Sequence, residues 1–269
     1  MEFGLSVVGI VVLVYAGVCA SYYLLQERLI FVRNDLSDGY RFKFQFPFEE
    51  RFVEADDRTR LHALYFPPEE GITKGVVLYF HGNTGTLRRW GRRAPRFTRL
   101  GWAVLMPDPR GYGKSRGKLS EAALLADAWT WYAELCKEMP ETEIVLYGRS
   151  LGCALAIPTA GRGRPKLLLL EAPFARLIDA ARHYFRWLPY GLLLRYTFDN
   201  CERITDVQCP IYIFHGEKDA VVPFSSALRL YSCIPSDRQR ELIGFPKGHH
   251  SDLARFVRFN RKIRTLLGD

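Results

Sequence analysis

Gly148-Arg149-Ser150-Leu151-Gly152 sets a serine two residues from a glycine on either side. The pentapeptide follows the β-like run Glu143-Ile144-Val145-Leu146-Tyr147 and precedes the helix-like Cys153-Ala154-Leu155-Ala156-Ile157, so Ser150 falls at a strand-to-helix turn. A serine exposed on so sharp a turn holds its backbone under strain. The chain two residues to each side comes close enough that a Cβ would clash, and glycine fits both places. Such a serine can attack an acyl carbon, provided a base takes its proton and a carboxylate orients that base. A carboxylate stands at Asp219, beyond the apolar run Pro210-Ile211-Tyr212-Ile213-Phe214 and the His215-Gly216 turn. Candidate bases are His249 and His250, in the glycine-rich stretch Gly244-Phe245-Pro246-Lys247-Gly248-His249-His250-Ser251-Asp252 after the strand-like Arg240-Glu241-Leu242-Ile243.

Acyl transfer also builds negative charge on the former carbonyl oxygen, and preorganised N–H groups must meet it. The apolar run Gly75-Val76-Val77-Leu78-Tyr79-Phe80 opens into His81-Gly82-Asn83-Thr84-Gly85. The expected oxyanion hole is the amide of Leu151, which follows the nucleophile, with that of Asn83; losing one such donor typically costs about 3 kcal/mol of barrier. Nucleophile, acid and base follow in the order Ser150, Asp219, His250, each at the C-terminal end of a strand. That is the order expected of α/β-hydrolases and not of other serine hydrolase folds. His81 reads as a structural hydrogen-bonding residue, and His215, His62 and His183 lie in no catalytic pattern.

The residues also resemble one family. His81-Gly82-Asn83, the loop Asp108-Pro109-Arg110-Gly111-Tyr112-Gly113-Lys114-Ser115, Tyr147 to Gly152, Glu171-Ala172-Pro173-Phe174, His215 to Asp219 and Gly248 to Asp252 are similar to the BEM46-like group of α/β-hydrolases. The resemblance covers nearly the whole chain, including an N-terminal apolar segment followed by Gln26-Glu27-Arg28-Leu29-Ile30-Phe31. It implies a serine hydrolase of acyl esters or thioesters, a class that includes lipid and protein-palmitoyl hydrolases. Members typically carry a single His followed by Asn-Asp, whereas this chain has His249-His250-Ser251-Asp252. Aligning Ser251-Asp252 with that pair selects His250 as base; matching Gly-His alone would choose His249.

The elements that must position these groups are legible as a pattern. The 269 residues are 48% hydrophobic and 25% charged, enough for one core burying roughly 70 to 75% of the unfolded surface. From Arg41 onward strand-like runs alternate with helix-like ones, which predicts an α/β fold: a mostly parallel sheet with helices on both faces, over residues 27–269. Residues 174–207 are dense in large apolar groups, among them Tyr184, Phe185, Trp187, Leu188, Tyr190, Leu192, Leu193, Leu194, Tyr196 and Phe198. They read either as ordinary helix packing or as a small helical cap lining an acyl pocket.

Phe3 to Leu25 is nearly uncharged and, at ~1.5 Å per residue, long enough to cross a ~30 Å hydrocarbon layer. It lacks the basic flank and small-residue cleavage site of a signal peptide, so residues 1–26 are expected to be a retained single-pass transmembrane anchor. Arg28, Arg33 and Arg41 follow it and no Lys or Arg precedes it, which places the domain on the cytoplasmic side. The five cysteines beyond the anchor, Cys136, Cys153, Cys201, Cys209 and Cys233, show no C-x-x-C spacing and are expected as reduced thiols. Cys201 and Cys209 could still pair if the domain were exported, which leaves the topology open. The net charge of +9, with the basic stretches 88–93 and 255–262, suits a domain beside anionic lipid; no nucleic-acid motif accompanies it.

The chain therefore reads as a membrane-anchored serine hydrolase of small-molecule acyl esters or lipids, with acylated protein as a further substrate class. No cofactor and no metal are implied. Two alternatives stand beside it, a catalytically silent hydrolase-fold membrane interaction protein and a cofactor-free non-hydrolytic enzyme built on the same triad.

Overall fold

The structure, a computed structural model, describes residues 2–71 and 73–268. Its strands are β1 (Glu49–Glu54), β2 (Arg60–Phe66), β3 (Val76–Phe80), β4 (Ala103–Asp108), β5 (Ile144–Arg149), β6 (Leu167–Glu171), β7 (Ile211–Gly216) and β8 (Arg240–Phe245). They form one sheet in the order β1-β2-β4-β3-β5-β6-β7-β8. β2 runs antiparallel to both neighbours, and every pairing from β4 to β8 is parallel. The helices in chain order are α1 (Glu2–Ile30), α2 (Leu87–Trp90), α3 (Pro95–Thr98), α4 (Glu121–Glu138), α5 (Cys153–Arg162), α6 (Leu177–Tyr184), α7 (Tyr190–Leu193), α8 (Asn200–Arg203), α9 (Phe224–Cys233) and α10 (Val257–Leu267).

Continuous apolar runs mark the central strands because both sheet faces are covered, as parallel sheets require. Successive side chains of a strand point to opposite faces. Along β3, Val76, Leu78 and Phe80 join a core with α4, α5 and α9, while Val77 and Tyr79 join the other with α2, α3 and α10. The predicted α/β-hydrolase architecture is the observed one. α4 begins with a side-chain cap: Ser120 Oγ accepts the Ala123 amide, one of the four donors a helix start leaves unpaired.

α1 is one continuous helix that runs beyond residue 26 to Ile30, and Phe31 directly behind it is buried in the core. Its portion Val7–Ile30, 24 residues of mean hydropathy 2.1, is long and apolar enough to cross a membrane by length and composition. The last turns pack on residues 174–207, where Tyr22 meets Tyr190 edge-to-face at 5.3 Å.

The cysteine expectation needs correction. Cys201 in α8 and Cys233 at the end of α9 form a disulfide, because the two helices pack side by side. Cys209 is instead a buried free thiol. Spacing along the chain did not show this pairing, since 32 residues separate partners that only the helix packing brings together.

Candidate active site

Ser150 leaves β5 at a backbone φ of +51°, the left-handed region that L-residues avoid. Close approach on both sides holds it there. A Cβ on Gly148 would lie 2.6 Å from Cys153 Cα, and one on Gly152 would lie 2.0 Å from the Phe80 carbonyl oxygen. β5 sits mid-sheet between β3 and β6, so Ser150 emerges between the loops that follow β3 and β6, with the loop after β7 one strand farther along the same edge.

His250 Nε2 stands 3.1 Å from Ser150 Oγ, and its Nδ1 stands 2.7 Å from Asp219 Oδ2. A carboxylate can only accept, so Nδ1 carries the proton and Nε2 offers its lone pair to the serine hydroxyl. Asp219 Oδ1 accepts the amides of Val221 and Val222, each at 2.8 Å. Burial alone would raise the Asp219 carboxyl, but His215, His250 and the Val222 amide outweigh it and hold the group well below the usual carboxylate range. Of the two candidate histidines, His250 is the one that meets Ser150. His249 is exposed, and its amide donates to Asp252 Oδ1 at 2.7 Å.

Two side chains at the site were not assigned from sequence. His215, the penultimate residue of β7, is fully buried with Nε2 3.4 Å from Asp219 Oδ2 and 2.9 Å from the Val222 carbonyl. Both neighbours accept, so Nε2 bears the proton and steadies the acidic turn. Arg149, beside the nucleophile, points back under it. Its Nη2 donates to the His250 carbonyl at 2.8 Å and to Ser251 Oγ at 3.2 Å, and its Nε to Glu171 Oε1 at 3.1 Å. Glu171 is fully buried; burial would raise its carboxyl, but Arg149 and then Arg93 hold it low, and the Tyr147 hydroxyl donates to it at 2.5 Å. Arg93, from the basic stretch 88–93, therefore turns inward to within 3.6 Å of Glu171. The signal for Arg149 was its place inside the pentapeptide; for His215 there was none beyond a polar residue ending an apolar strand.

The loop after β3 is fixed at Asn83. Its carbonyl accepts the Val32 amide at 3.0 Å and the Tyr112 hydroxyl at 2.8 Å, and its Nδ2 donates to the Ile30 carbonyl at 2.9 Å. Asn83, Leu151 and Ser150 share one cavity of about 320 Å³, walled mainly by apolar side chains including Phe174, Leu177, Tyr184 and Tyr190. His81 faces away from this chemistry, with Nε2 3.0 Å from Asp108 Oδ1, and His62 pairs with Glu50 at 3.0 Å. Among the described residues no His, Cys, Asp and Glu cluster has the arrangement of a metal site. A buried serine hydroxyl, an oriented imidazole and an ionised carboxylate in one line can deprotonate the serine for attack on an acyl carbon.

Comparison with known proteins shows the family and the fold. A protein-family profile described as "Serine aminopeptidase, S33" matches residues 71–191. The chain is 28% identical to the lysophosphatidylserine lipase ABHD12 of Danio rerio over 63% of this chain and 58% of that protein. The Pyrococcus furiosus esterase Pf2001 has the same fold, with a TM-score of 0.69 at 18% identity over 87% of this chain and 98% of that one. Protein bem46 of Schizosaccharomyces pombe is 30% identical over 78% of this chain and 73% of its own length. The identity to bem46 spans most of both chains, and the matching family profile, the ABHD12 lipase and the Pf2001 esterase are hydrolases, so the chain is a hydrolase and belongs to the BEM46-like group of α/β-hydrolases.

Proposed function

We propose that this chain is a membrane-anchored serine hydrolase that cleaves carboxylic ester or thioester bonds of acyl or lipid substrates through Ser150, His250 and Asp219. The observation that carries the reading is Ser150 Oγ at 3.1 Å from His250 Nε2 on the floor of an apolar cavity. Ser150 Oγ bonds to the substrate carbonyl carbon as His250 Nε2 takes its proton, and Asp219 stabilises the imidazolium. The Asn83 and Leu151 amides hold the oxyanion. Collapse breaks the bond to the leaving alcohol or thiol, which takes the proton from His250. Water then attacks the acyl-serine, with its proton passing to Nε2 and on to Ser150 Oγ. Residues 174–207 act as the cap of the acyl pocket, which their apolar contribution to the cavity supports. The lipase and esterase names of the relatives support the substrate class.

The anchor is supported by the length and hydropathy of α1. Arg28, Arg33 and Arg41 support a domain on the cytoplasmic side, whereas the Cys201–Cys233 bond counts against it, since disulfides are rare in a reducing cytosol. Protease protection of the domain in sealed vesicles separates the two orientations.

The test is fluorophosphonate labelling of the detergent-solubilised protein beside Ser150→Ala. Labelling that disappears in the variant is the expected result. Absence of labelling in folded wild type would sink the enzyme reading and leave a hydrolase-fold interaction protein.

A further inference from the structure

We propose that α1 forms part of the substrate site: a single acyl tail reaches Ser150 from the membrane along the seam between α1 and residues 174–207, and Leu29 and Tyr22 set the chain length accepted. The inference rests on the hydrolase reading above and names the route and specificity residues of that same site.

α1 and the 174–207 segment are built as one unit. Gln26 is the one fully buried side chain among the described residues of α1; its Nε2 donates to the Leu193 carbonyl at 2.9 Å and its Oε1 accepts the Arg195 amide at 2.8 Å. Glu27 adds an ion pair with Arg195 at 2.9 Å and accepts the Tyr196 hydroxyl at 3.0 Å. Four polar contacts from two residues at the end of an apolar helix fix its rotation, so the side chains it turns toward the cavity are specified.

Those side chains are Tyr22, Leu29 and Ile30, which close one wall of the 320 Å³ cavity at Ser150. A second apolar cavity of about 240 Å³ lies farther up the helix, between Val18, Leu25 and the cap residues Trp187 and Leu188. Both cavities are lined by Tyr22, Leu29 and Phe185, so they adjoin at these residues. From Val18 to Leu29 the seam follows the helix for roughly 16 Å, about half of a ~30 Å hydrocarbon layer. An acyl tail lying in it points into one leaflet, while its ester group stays at Ser150 by the helix end. The first cavity is at the small end of the 300–1,000 Å³ range of small-molecule sites, which suits one tail rather than two.

The rim has the matching surface. Phe185 and Trp187 are about half exposed and Leu192 is 84% exposed, beside a helix whose apolar surface is also uncovered. Large exposed apolar groups at one edge mark an interaction surface, and aromatic rings favour the membrane–water boundary. A tail leaving the bilayer along this edge keeps apolar contact from leaflet to serine.

The test uses the full chain in phosphatidylcholine nanodiscs. An alkyl fluorophosphonate with a terminal diazirine is bound to Ser150 and illuminated; cross-links to residues 18–25 or 185–188 are expected. Cross-links confined to residues 174–184 and 219–222 would overturn the route. In parallel, Leu29→Trp is expected to lower the ratio of kcat/KM for a dodecanoate over a butanoate ester by about ten-fold or more. Leu24→Trp, at an exposed position lining neither cavity, should leave that ratio at its wild-type value. An unchanged ratio in Leu29→Trp refutes the role of α1 while the hydrolase reading stands. Should Leu29→Trp fail to fold, the wild-type cross-link map still decides. Wild type that neither labels nor turns over either ester overturns the hydrolase reading itself.

Discussion

Asn83 Nδ2 donates to the carbonyl of Ile30 at 2.9 Å, so the loop carrying the proposed oxyanion amide is moored to the last turn of α1. Removing that tether displaces the amide without deleting it, so the cost should fall below the about 3 kcal/mol of losing a donor outright. Asn83→Ala is expected to lower kcat roughly ten-fold, about 1.4 kcal/mol of barrier, with little change in KM. Steady-state kinetics on a short soluble ester check this. A raised KM at constant kcat would show that Asn83 serves ground-state binding instead.

Arg149 links the two halves of the site, reaching the His250 carbonyl on one side and the fully buried Glu171 on the other. Arg149→Leu leaves a buried carboxylate short of its main partner, and such losses cost about 3 to 5 kcal/mol. A large fall in Tm is expected, together with loss of activity. Replacing all three charges, Arg149→Met and Arg93→Met with Glu171→Leu, removes the uncompensated charge and should restore part of the Tm but not kcat, because the His250 loop stays untethered. Calorimetry and kinetics on both variants separate the two roles, and equal recovery of both would reduce Arg149 to a stabilising residue.

The folded Asp219 carboxyl lies below its unfolded value of about 3.9, through hydrogen bonds that outweigh its burial. A depressed carboxylate contributes stability that is complete above the unfolded pKa and is lost as pH falls toward the folded one. Asp219→Asn should therefore be less stable than wild type near neutrality, and the gap should narrow below about pH 4. Urea unfolding across pH tests the sign; a gap that widens in acid contradicts the ionised carboxylate. The same variant should lose about 10⁴-fold in kcat, since an amide can donate to His250 Nδ1 and stabilise the wrong tautomer.

How much of this was legible in the chain depends on whether a residue's task is local. Ser150 was, because a strained turn demands glycine at 148 and 152 and the demand is written within five residues. Asp219 and His250 could be placed because each follows a strand-like run, and parallel strands bring their C-terminal ends to one edge. Between His249 and His250 the strand pattern is silent, since a one-residue shift in a loop has no periodic signature; the family resemblance selected His250, which is the one the fold sets against Ser150. His215 reads as the end of an apolar strand until the turn after β7 folds Asp219 back onto it. For α1, hydropathy announces the helix but not which side chains meet the cap; that orientation comes from Gln26 and Glu27, whose partners lie more than 160 residues away.

The Cys201–Cys233 bond makes a prediction of its own, because the loop it closes contains β7, the Asp219 turn and α9. In the chain-entropy account, closing a loop with a separation of 32 residues removes unfolded-state freedom worth roughly 3 to 4 kcal/mol. For a chain of this size that corresponds to about 10 °C in Tm. Reductant should lower the Tm of wild type by about that amount, and the double variant Cys201→Ser with Cys233→Ser should show the lower Tm with or without reductant. Neither cysteine lines the Ser150 cavity, so kcat at 25 °C should stay within about two-fold of wild type, a barrier change below roughly 0.5 kcal/mol. Differential scanning fluorimetry with and without reductant decides the matter: a wild-type Tm indifferent to reductant would mean that the thiols remain apart. An equal fall in Tm and kcat would mean that the bond also holds the acid in place.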